Sequence, residues 1–306
     1  MSTPNMVEPE ASVPAPARDP ARVRRLAVLG SPVEHSLSPA LHRAAYQALG
    51  LDWRYDAVRV PAGGLPDFLA SRGADWRGLS LTMPLKHEVQ AQLDGIDRVA
   101  AQTGSVNTVL FGEADGRRTL QGFNTDVTGL VRALAEAGVR RAVHVCLLGA
   151  GATAASALVA AAELGAELVD VLVRTPAKAA DLVELGQSLG VVVRVYPLTD
   201  LPDPARVSEL VISTLPGGSD PGAEFPAGLR RQALLFDVSY SPWPSALARS
   251  WSSAGGTAVS GEGMLLHQAL IQVRIFVSGD PFEPLPNEDV VLHAMRGALT
   301  GKAVTG

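Results

Sequence analysis

The chain has 306 residues, 47% apolar and 19% charged, enough to bury the cores of two domains of ordinary size. Its formal net charge is −5 with no basic block, which argues against a nucleic-acid partner. Cys146 is the only cysteine, so no intrachain disulfide can form, and a reducing compartment, the cytoplasm, is expected.

Residues 1–21 are rich in Pro, Ala and Ser and carry no apolar run; they read as a disordered extension rather than a signal peptide. Arg24 to Gly30 then reads as a strand running into Gly-Ser-Pro. In HSLSPALHRAAYQALG, Ser38 is the expected N-cap, Pro39 the first helical residue and Gly50 the C-cap. Leu41, Ala44, Ala45, Ala48 and Leu49 form the expected apolar face of that helix. Arg54 to Val60 alternates like a strand, and LPDFLASRG reads as a short helix. GLSLTMPLK is a short buried strand that breaks at Pro84 and delivers a hydroxyl, Thr82, and an ammonium, Lys86, at its end. A helix follows near His87 to Asp94, then a strand over Ser105 to Leu110 and a hairpin turn at GEADGRR.

After GFNTD the composition shifts to long Ala/Leu/Val helices and β-branched strands. VHVCLLGAG, ELVDVLVR, VVVRVY, ELVISTLP and ALLFDVSY are five strand candidates. Residues Ala142 to Ala162 contain no Asp, Glu, Lys or Arg, yet the run splits at Gly149-Ala150-Gly151 into a β-branched and an Ala-rich half. A strand, a turn and a helix explain that split better than a membrane span. GMLLHQALIQVRIF and NEDVVLHAMRGAL close the chain as two helices. The fold class is therefore α/β with two domains. The boundaries predicted are 22–125 for an α/β substrate-binding domain, 126–261 for a Rossmann-type dinucleotide-binding domain, and 262–306 for helices that return to the first domain.

Gly149-Ala150-Gly151-Ala152-Thr153-Ala154 stands between a buried strand and an Ala-rich helix. Glycine there lets the backbone turn tightly and approach a pyrophosphate at the helix N-terminus, and Ala154 is acceptable where helix and strand must pack closely. The next strand ends on Arg174 and Thr175, with Lys178 after them, where an NAD-binding protein would carry an acid for the ribose. A guanidinium, a hydroxyl and an ammonium suit a 2′-phosphate, so NADP is the expected cofactor. No metal is called for.

Small polar groups gather at strand ends of the first domain: Ser36 and Ser38, Thr82 and Lys86, Asn107 in GSVNTV, and Asp126 in GFNTD at the domain boundary. Ligands of α/β sheets bind beyond the carboxyl ends of the strands. A cleft lined with hydroxyls, an amide, one ammonium and one carboxylate fits a small polyhydroxylated acid. Plainer readings stay open: Ser38 as a helix cap, Asn107 as a turn residue, Lys86 as a surface lysine.

Nine segments together carry a resemblance: GSPVEHSLSPALH, SLTMPLK, GSVNTV, GFNTDVTGL, GAGATAASA, VRTPAKA, ISTLP, DVSYSPWPS and GEGMLLHQA. From Gly30 through Gln268 the chain resembles the shikimate dehydrogenase family. The resemblance implies NADPH-dependent reduction of 3-dehydroshikimate to shikimate in chorismate and aromatic amino-acid biosynthesis. It implies catalytic roles for Lys86 and Asp126, and substrate binding by Ser36, Ser38, Thr82, Asn107, Tyr240 and Gln268 beside that pair. Gly149 to Ala154 would form the nucleotide loop, with Val238 and Gly261 as further cofactor contacts, and a homodimer is the oligomer considered. The chain departs from the family at Ala152, where a glycine is frequent, and at Val173, where an asparagine is lost; a family acid ahead of GSVNTV aligns loosely with Asp97. An NAD-dependent quinate/shikimate dehydrogenase is the nearer alternative, opposed by Arg174 and Lys178. A non-catalytic sensor is the other, opposed by the intact Lys86 and Asp126.

Overall fold

The computed structural model describes residues 23–199, 208–222 and 225–301; the extension expected over 1–21 lies outside the described residues. The first part of the chain runs β1 (Arg24–Gly30), α1 (Ser38–Ala48), β2 (Trp53–Arg59), α2 (Leu65–Ala70), β3 (Trp76–Leu81) and α3 (Leu85–Glu88). It continues with β4 (Gly95–Ile96), α4 (Arg98–Thr103), β5 (Thr108–Ala114) and β6 (Arg117–Phe123). These strands form one mixed sheet in the order β2-β1-β3-β5-β6-β4. Asp115 and Gly116, with φ of 54° and 71°, turn the β5–β6 hairpin, where left-handed backbone matches the twist of the strands.

The second part begins with α5 (Asp126–Glu136), β7 (His144–Leu148), α6 (Ala152–Glu163), β8 (Leu168–Val173), α7 (Ala180–Leu189) and β9 (Val192–Pro197). β10 (Leu210–Ser213), α8 (Ala227–Gln232), β11 (Leu234–Asp237), α9 (Ala246–Ser253) and β12 (Ala258–Ser260) follow. All six strands are parallel, in the order β12-β11-β10-β7-β8-β9, the doubly wound arrangement that binds dinucleotides at its switch point. The apolar run over 142–162 is β7, a turn and α6, and no described helix is long and apolar enough to cross a membrane. Lastly, α10 (Glu262–Ser278) packs back on β3 and β5 of the first sheet, and α11 (Glu288–Thr300) on α1 and α10 beside it.

Alternation along β1 shows how both faces of that sheet are covered. Leu26 and Val28 face α1, α10 and α11, through Leu41, Tyr46, Val273, Phe276 and Met295. Ala27 and Leu29 face Leu65, Leu69, Leu79 and Leu85 on the other side. α10 is buried almost all round, as a helix wedged between a sheet and the helices α1, α5 and α11 must be.

The helix over 38–48 differs in detail from expectation. Leu37 already has near-helical backbone and occupies the N-cap, so Ser38 is the first helical residue and Pro39 the second. Ser36 takes over the capping, its Oγ accepting the Ser38 amide at 3.3 Å. At the other end Leu49 is the cap and Gly50, at φ 69°, lies one residue beyond it. The Leu51 amide reaches Tyr46 O and the Gly50 amide reaches Gln47 O, a Schellman closure. The inward face also shifts: His42 and Tyr46 are buried and Ala48 is exposed, because two aromatic rings fill the layer under α10 better than alanines would. The strand expected from Ser105 starts at Thr108, since the Val106 and Asn107 amides are taken by Lys86 O and Phe123 O. β4, α4 and β12 were not expected; two are very short strands, and α4 has only six residues.

Two stability measurements test this packing. Gly78 lies under α10, where a Cβ would sit 2.5 Å from the Phe276 ring and 2.6 Å from Val109 O. Gly78→Ala is expected to cost about 1–3 kcal/mol in urea unfolding, the usual scale of overpacking; an unchanged midpoint would contradict the seating of α10 on β3. His42 is fully buried, and burial pushes its imidazole down to about 3 from an ordinary 6.5. Below pH 6.5 the unfolded chain takes up a proton there that the folded chain refuses until about pH 3. The stability this group contributes is thus complete above pH 6.5 and is lost as the pH falls. Between about pH 6.5 and 5 the parent should lose about 2 kcal/mol more than His42→Gln. Parallel profiles for the two proteins would contradict it.

Candidate active site

Strand directions bring the polar strand ends together. β1 and β3 are parallel, β5 runs against β3, and β6 runs against β5. The ends of β1, β3 and β6 and the start of β5 therefore share one edge of the sheet. Backbone bonds tie that edge: Thr82 N to Leu29 O, Ser31 N to Met83 O, Leu81 N to Asn107 O, and Asn107 N to Phe123 O, all 2.8–3.0 Å. A Cβ on Gly30 would lie 2.3 Å from Thr82 Cγ2, so only glycine lets the end of β1 close on Thr82.

At this edge Lys86 Nζ donates to Asp126 Oδ2 at 2.5 Å, with only 12% and 5% of the two side chains exposed. Asp126 Oδ1 accepts from Asn107 Nδ2 at 2.8 Å, so both carboxylate oxygens are engaged. Asn107 is held in turn: its Nδ2 also reaches Thr125 Oγ1, and its Oδ1 accepts from the Thr125 amide and the Thr108 hydroxyl. Asp126 opens α5, its own amide donating to Asn124 Oδ1 at 2.9 Å, so its negative charge sits at the favourable end of the helix dipole. The turn bearing Lys86 is pinned on two sides. Lys86 O accepts the Val106 amide, His87 Nδ1 donates to Gly104 O, and the Glu88 carboxylate takes the Gly63 amide.

Of the other expected substrate residues, Thr82 lines a cleft together with Lys86, and Asn107 bonds Asp126 directly. Ser38 is buried and Ser36 half-buried in the loop after β1. Gln268 is buried on α10, donating to Leu265 O and lying 3.4 Å from Thr125 Oγ1. Tyr240 is half-buried beyond β11; burial raises its phenol above the ordinary value, opposed by a hydrogen bond from the Leu37 backbone. Asp97 is not part of the pair: it caps α4, accepting the Ala100 amide at 2.6 Å, and burial raises its carboxyl. Asn124 and Thr125 were missed as site residues. Asn124 accepts the Asp126 amide and Thr125 bonds Asn107 and Gln268, contacts between segments that the residue types alone do not announce.

Lys86 also faces a cleft of about 740 Å³. Thr82, Met83, Pro84, Lys86 and His87 line one wall; Gly149 to Ala154, Val173, Arg174, Thr175 and Lys178 line the other. Gly149 has φ 109°, and a Cβ on it would strike Thr214 Oγ1 at 2.4 Å. Gly151 caps α6 with no side chain on the helix end, and a Cβ there would meet no atom of the protein. The space above the first turn of α6 is therefore open, and the helix end suits a pyrophosphate. Ala154 is fully buried, as close packing of α6 on the sheet requires, and Arg174, Thr175 and Lys178 stand exposed at the end of β8. The donor set fits a dinucleotide with an additional phosphate. Val238 and Gly261 lie outside this lining and against each other, where a Cβ on Gly261 would be 2.0 Å from Val238 O.

Comparison with known proteins agrees with this arrangement. A profile of the shikimate dehydrogenase substrate binding domain matches residues 28–109. The chain is 38% identical over 281 residues to a shikimate dehydrogenase (NADP(+)) of Rubrobacter xylanophilus, covering 90% of this chain and 95% of that one. The crystal structure of Mycobacterium tuberculosis shikimate dehydrogenase superposes with a TM-score of 0.74 at 37% identity, over 90% of this chain and 99% of that one. A Thermus thermophilus shikimate 5-dehydrogenase in complex with NADP(H) and shikimate superposes with a TM-score of 0.73 at 35% identity, with the same coverage.

Proposed function

The chain belongs to the shikimate dehydrogenase family, and from that membership we propose that it catalyses the reversible NADPH-dependent reduction of 3-dehydroshikimate to shikimate. The observation that carries this reading is the buried Lys86–Asp126 pair, standing where the polar sheet edge meets the cleft lined by the glycine loop. In this reading residues 22–125, with the helices within 262–306, serve the substrate, and residues 126–261 serve the cofactor. The lone cysteine is buried and free, which suits a cytoplasmic enzyme.

When bound, NADPH supplies the hydride that reaches the carbonyl carbon. Charge then develops on the carbonyl oxygen, and the chain must stabilise and protonate it. Lys86 is the group with N–H bonds to offer at that place. Asp126 accepts on both oxygens, from Lys86 and from Asn107, so it aims the ammonium at the reacting oxygen. Water returns the proton to Lys86 after release of the alcohol. Ser36, Ser38, Thr82, Asn107, Tyr240 and Gln268 offer hydroxyls and amides around the pair, a set that suits the hydroxyls and carboxylate of the substrate. Gly149 to Ala154 would hold the pyrophosphate, and Arg174, Thr175 and Lys178 would hold the 2′-phosphate. No acid stands at the end of β8 to favour NAD. Val238 and Gly261, packed against each other outside the cleft lining, would be the family's further cofactor contacts.

Kinetics test the two halves of this reading. Lys86→Ala should lower turnover by about two to four orders of magnitude, the usual size of lost acid–base assistance, with Asp126→Asn close behind. Cofactor affinity should change far less. Turnover within a few-fold of the parent in either variant would remove the pair from the chemistry. Arg174→Ala should weaken NADP by about ten- to one-hundred-fold, the worth of one charge-assisted hydrogen bond, and leave NAD nearly unaffected. Equal losses for both cofactors would assign Arg174 to the fold or to the adenine.

A further inference from the structure

Behind the candidate substrate site lies a layer of buried polar side chains that the chemistry above does not use: His42, Tyr46, Tyr55, Ser80 and Gln272. Tyr55 Oη donates to Ser80 Oγ at 2.6 Å, and Ser80 Oγ donates to Gln272 Oε1 at 2.7 Å. His42 Nε2 lies 3.1 Å from the same Oε1, and Tyr46 Oη lies 3.2 Å from His42 Nδ1. Only one set of hydrogens satisfies these contacts. Oε1 can only accept, so Nε2 carries the imidazole hydrogen and Nδ1 accepts from the Tyr46 hydroxyl. The ring stacks on Tyr55 at 3.9 Å and 8°, which holds it in place. Gln272 Nε2 turns the other way, to the carbonyl oxygen of Asn107 at 3.4 Å.

A buried network of this kind gains little over apolar packing, because desolvation offsets most of what its bonds contribute. What it does fix is relative position. His42 is one turn along α1 from Ser38, and Gln272 is one turn along α10 from Gln268, each on the same side of its helix as that partner. Ser80 stands two residues before Thr82 on β3, and Asn107 holds Asp126. Four segments that carry site residues therefore meet at one carboxamide.

We propose that Gln272 is a positioning residue: it sets the spacing of the segments bearing Ser38, Thr82, Asn107 and Gln268, and so the fit of the substrate, without touching the substrate itself. This rests on the shikimate dehydrogenase reading. α10 thereby acts as a gauge for the site as well as a cover for the sheet, and a displacement of Gln272 is felt at Asn107 and the serines together. The cofactor wall, built from the second sheet, contains none of these contacts.

The test compares Gln272→Leu with the parent in four measurements: KM for shikimate, KM for NADP, thermal midpoint, and amide hydrogen exchange. Gln272→Leu should raise the shikimate KM about tenfold, since small displacements of positioning groups are costly, while the NADP KM stays unchanged. A lower midpoint with both KM values unchanged, or equal rises in both, would make Gln272 a residue of the core only. Ser80→Ala removes one donor to Gln272 and should raise the shikimate KM about two- to tenfold, which keeps the question open to measurement if Gln272→Leu does not fold. Exchange reads the same proposal without substrate. The Leu81 and Thr125 amides donate to Asn107 O and Oδ1, so they should exchange faster in Gln272→Leu while Cys146 and Val171 in the other sheet do not. A uniform change in both sheets would overturn it. A parent that fails to oxidise shikimate would sink the proposed function, and the exchange result would still decide the role of Gln272.

Discussion

The carboxylate of Asp126 sets the terms for the whole site. A buried charge left unpaired is costly by several kcal/mol, so the surrounding chain must supply partners for both oxygens. Lys86 takes one and Asn107 the other. Those two requirements fix the turn after β3, the start of β5 and the entry into α5, which are far apart in sequence. The same residue joins the two halves of the molecule. It ends the run from the first sheet and begins α5, whose Val127, Leu130 and Leu134 belong to the core of the second. The ammonium is consequently held at the boundary between a polar sheet edge and a nucleotide-type cleft, where a reaction between two ligands has to occur.

The second sheet contributes through its topology. Its strand order reverses between β7 and β10, and there Gly149 closes against Thr214. The crevice at such a reversal is where α/β sheets bind ligands. Gly151 leaves the end of α6 uncovered, and the end of β8 adds two cations and a hydroxyl. The glycine loop and the polar edge around Lys86 thus come from different sheets. Gln268, which accepts from Thr125, Gln272, which donates to Asn107 O, and Ser156, which accepts from Asn124, are among the side chains that connect second-half elements with the substrate edge.

Much of this was legible in the sequence, for reasons that are local. Strands of five to seven residues with β-branched or alternating patterns declared themselves, as did the glycine turn before α6 and the Asp-Gly hairpin. Lys86, Asn107 and Asp126 stood out because each followed or preceded such a strand and all three fell at strand ends, where α/β sheets bind ligands. What stayed hidden depends on contacts between distant segments. The capping of α1 passed to Ser36 because Leu37 was already near-helical, a backbone property that residue type does not reveal. His42 and Tyr46 turned inward because Gln272 and Tyr55, remote in sequence, gave them partners. β4 and β12 are too short to carry a period. Gln272 itself sits in an apolar helix with nothing nearby to mark it.

The central claim is that the Lys86 ammonium, held by Asp126, meets the oxygen that changes between ketone and alcohol. A crystal structure of the complex with NADP and shikimate measures this directly. The account predicts Lys86 Nζ about 2.6–3.2 Å from the hydroxyl that is oxidised, the range of a working proton contact, with Asp126 still bound to it. It would be contradicted by that hydroxyl resting on another donor while Lys86 pairs with the shikimate carboxylate or turns away from the ligand.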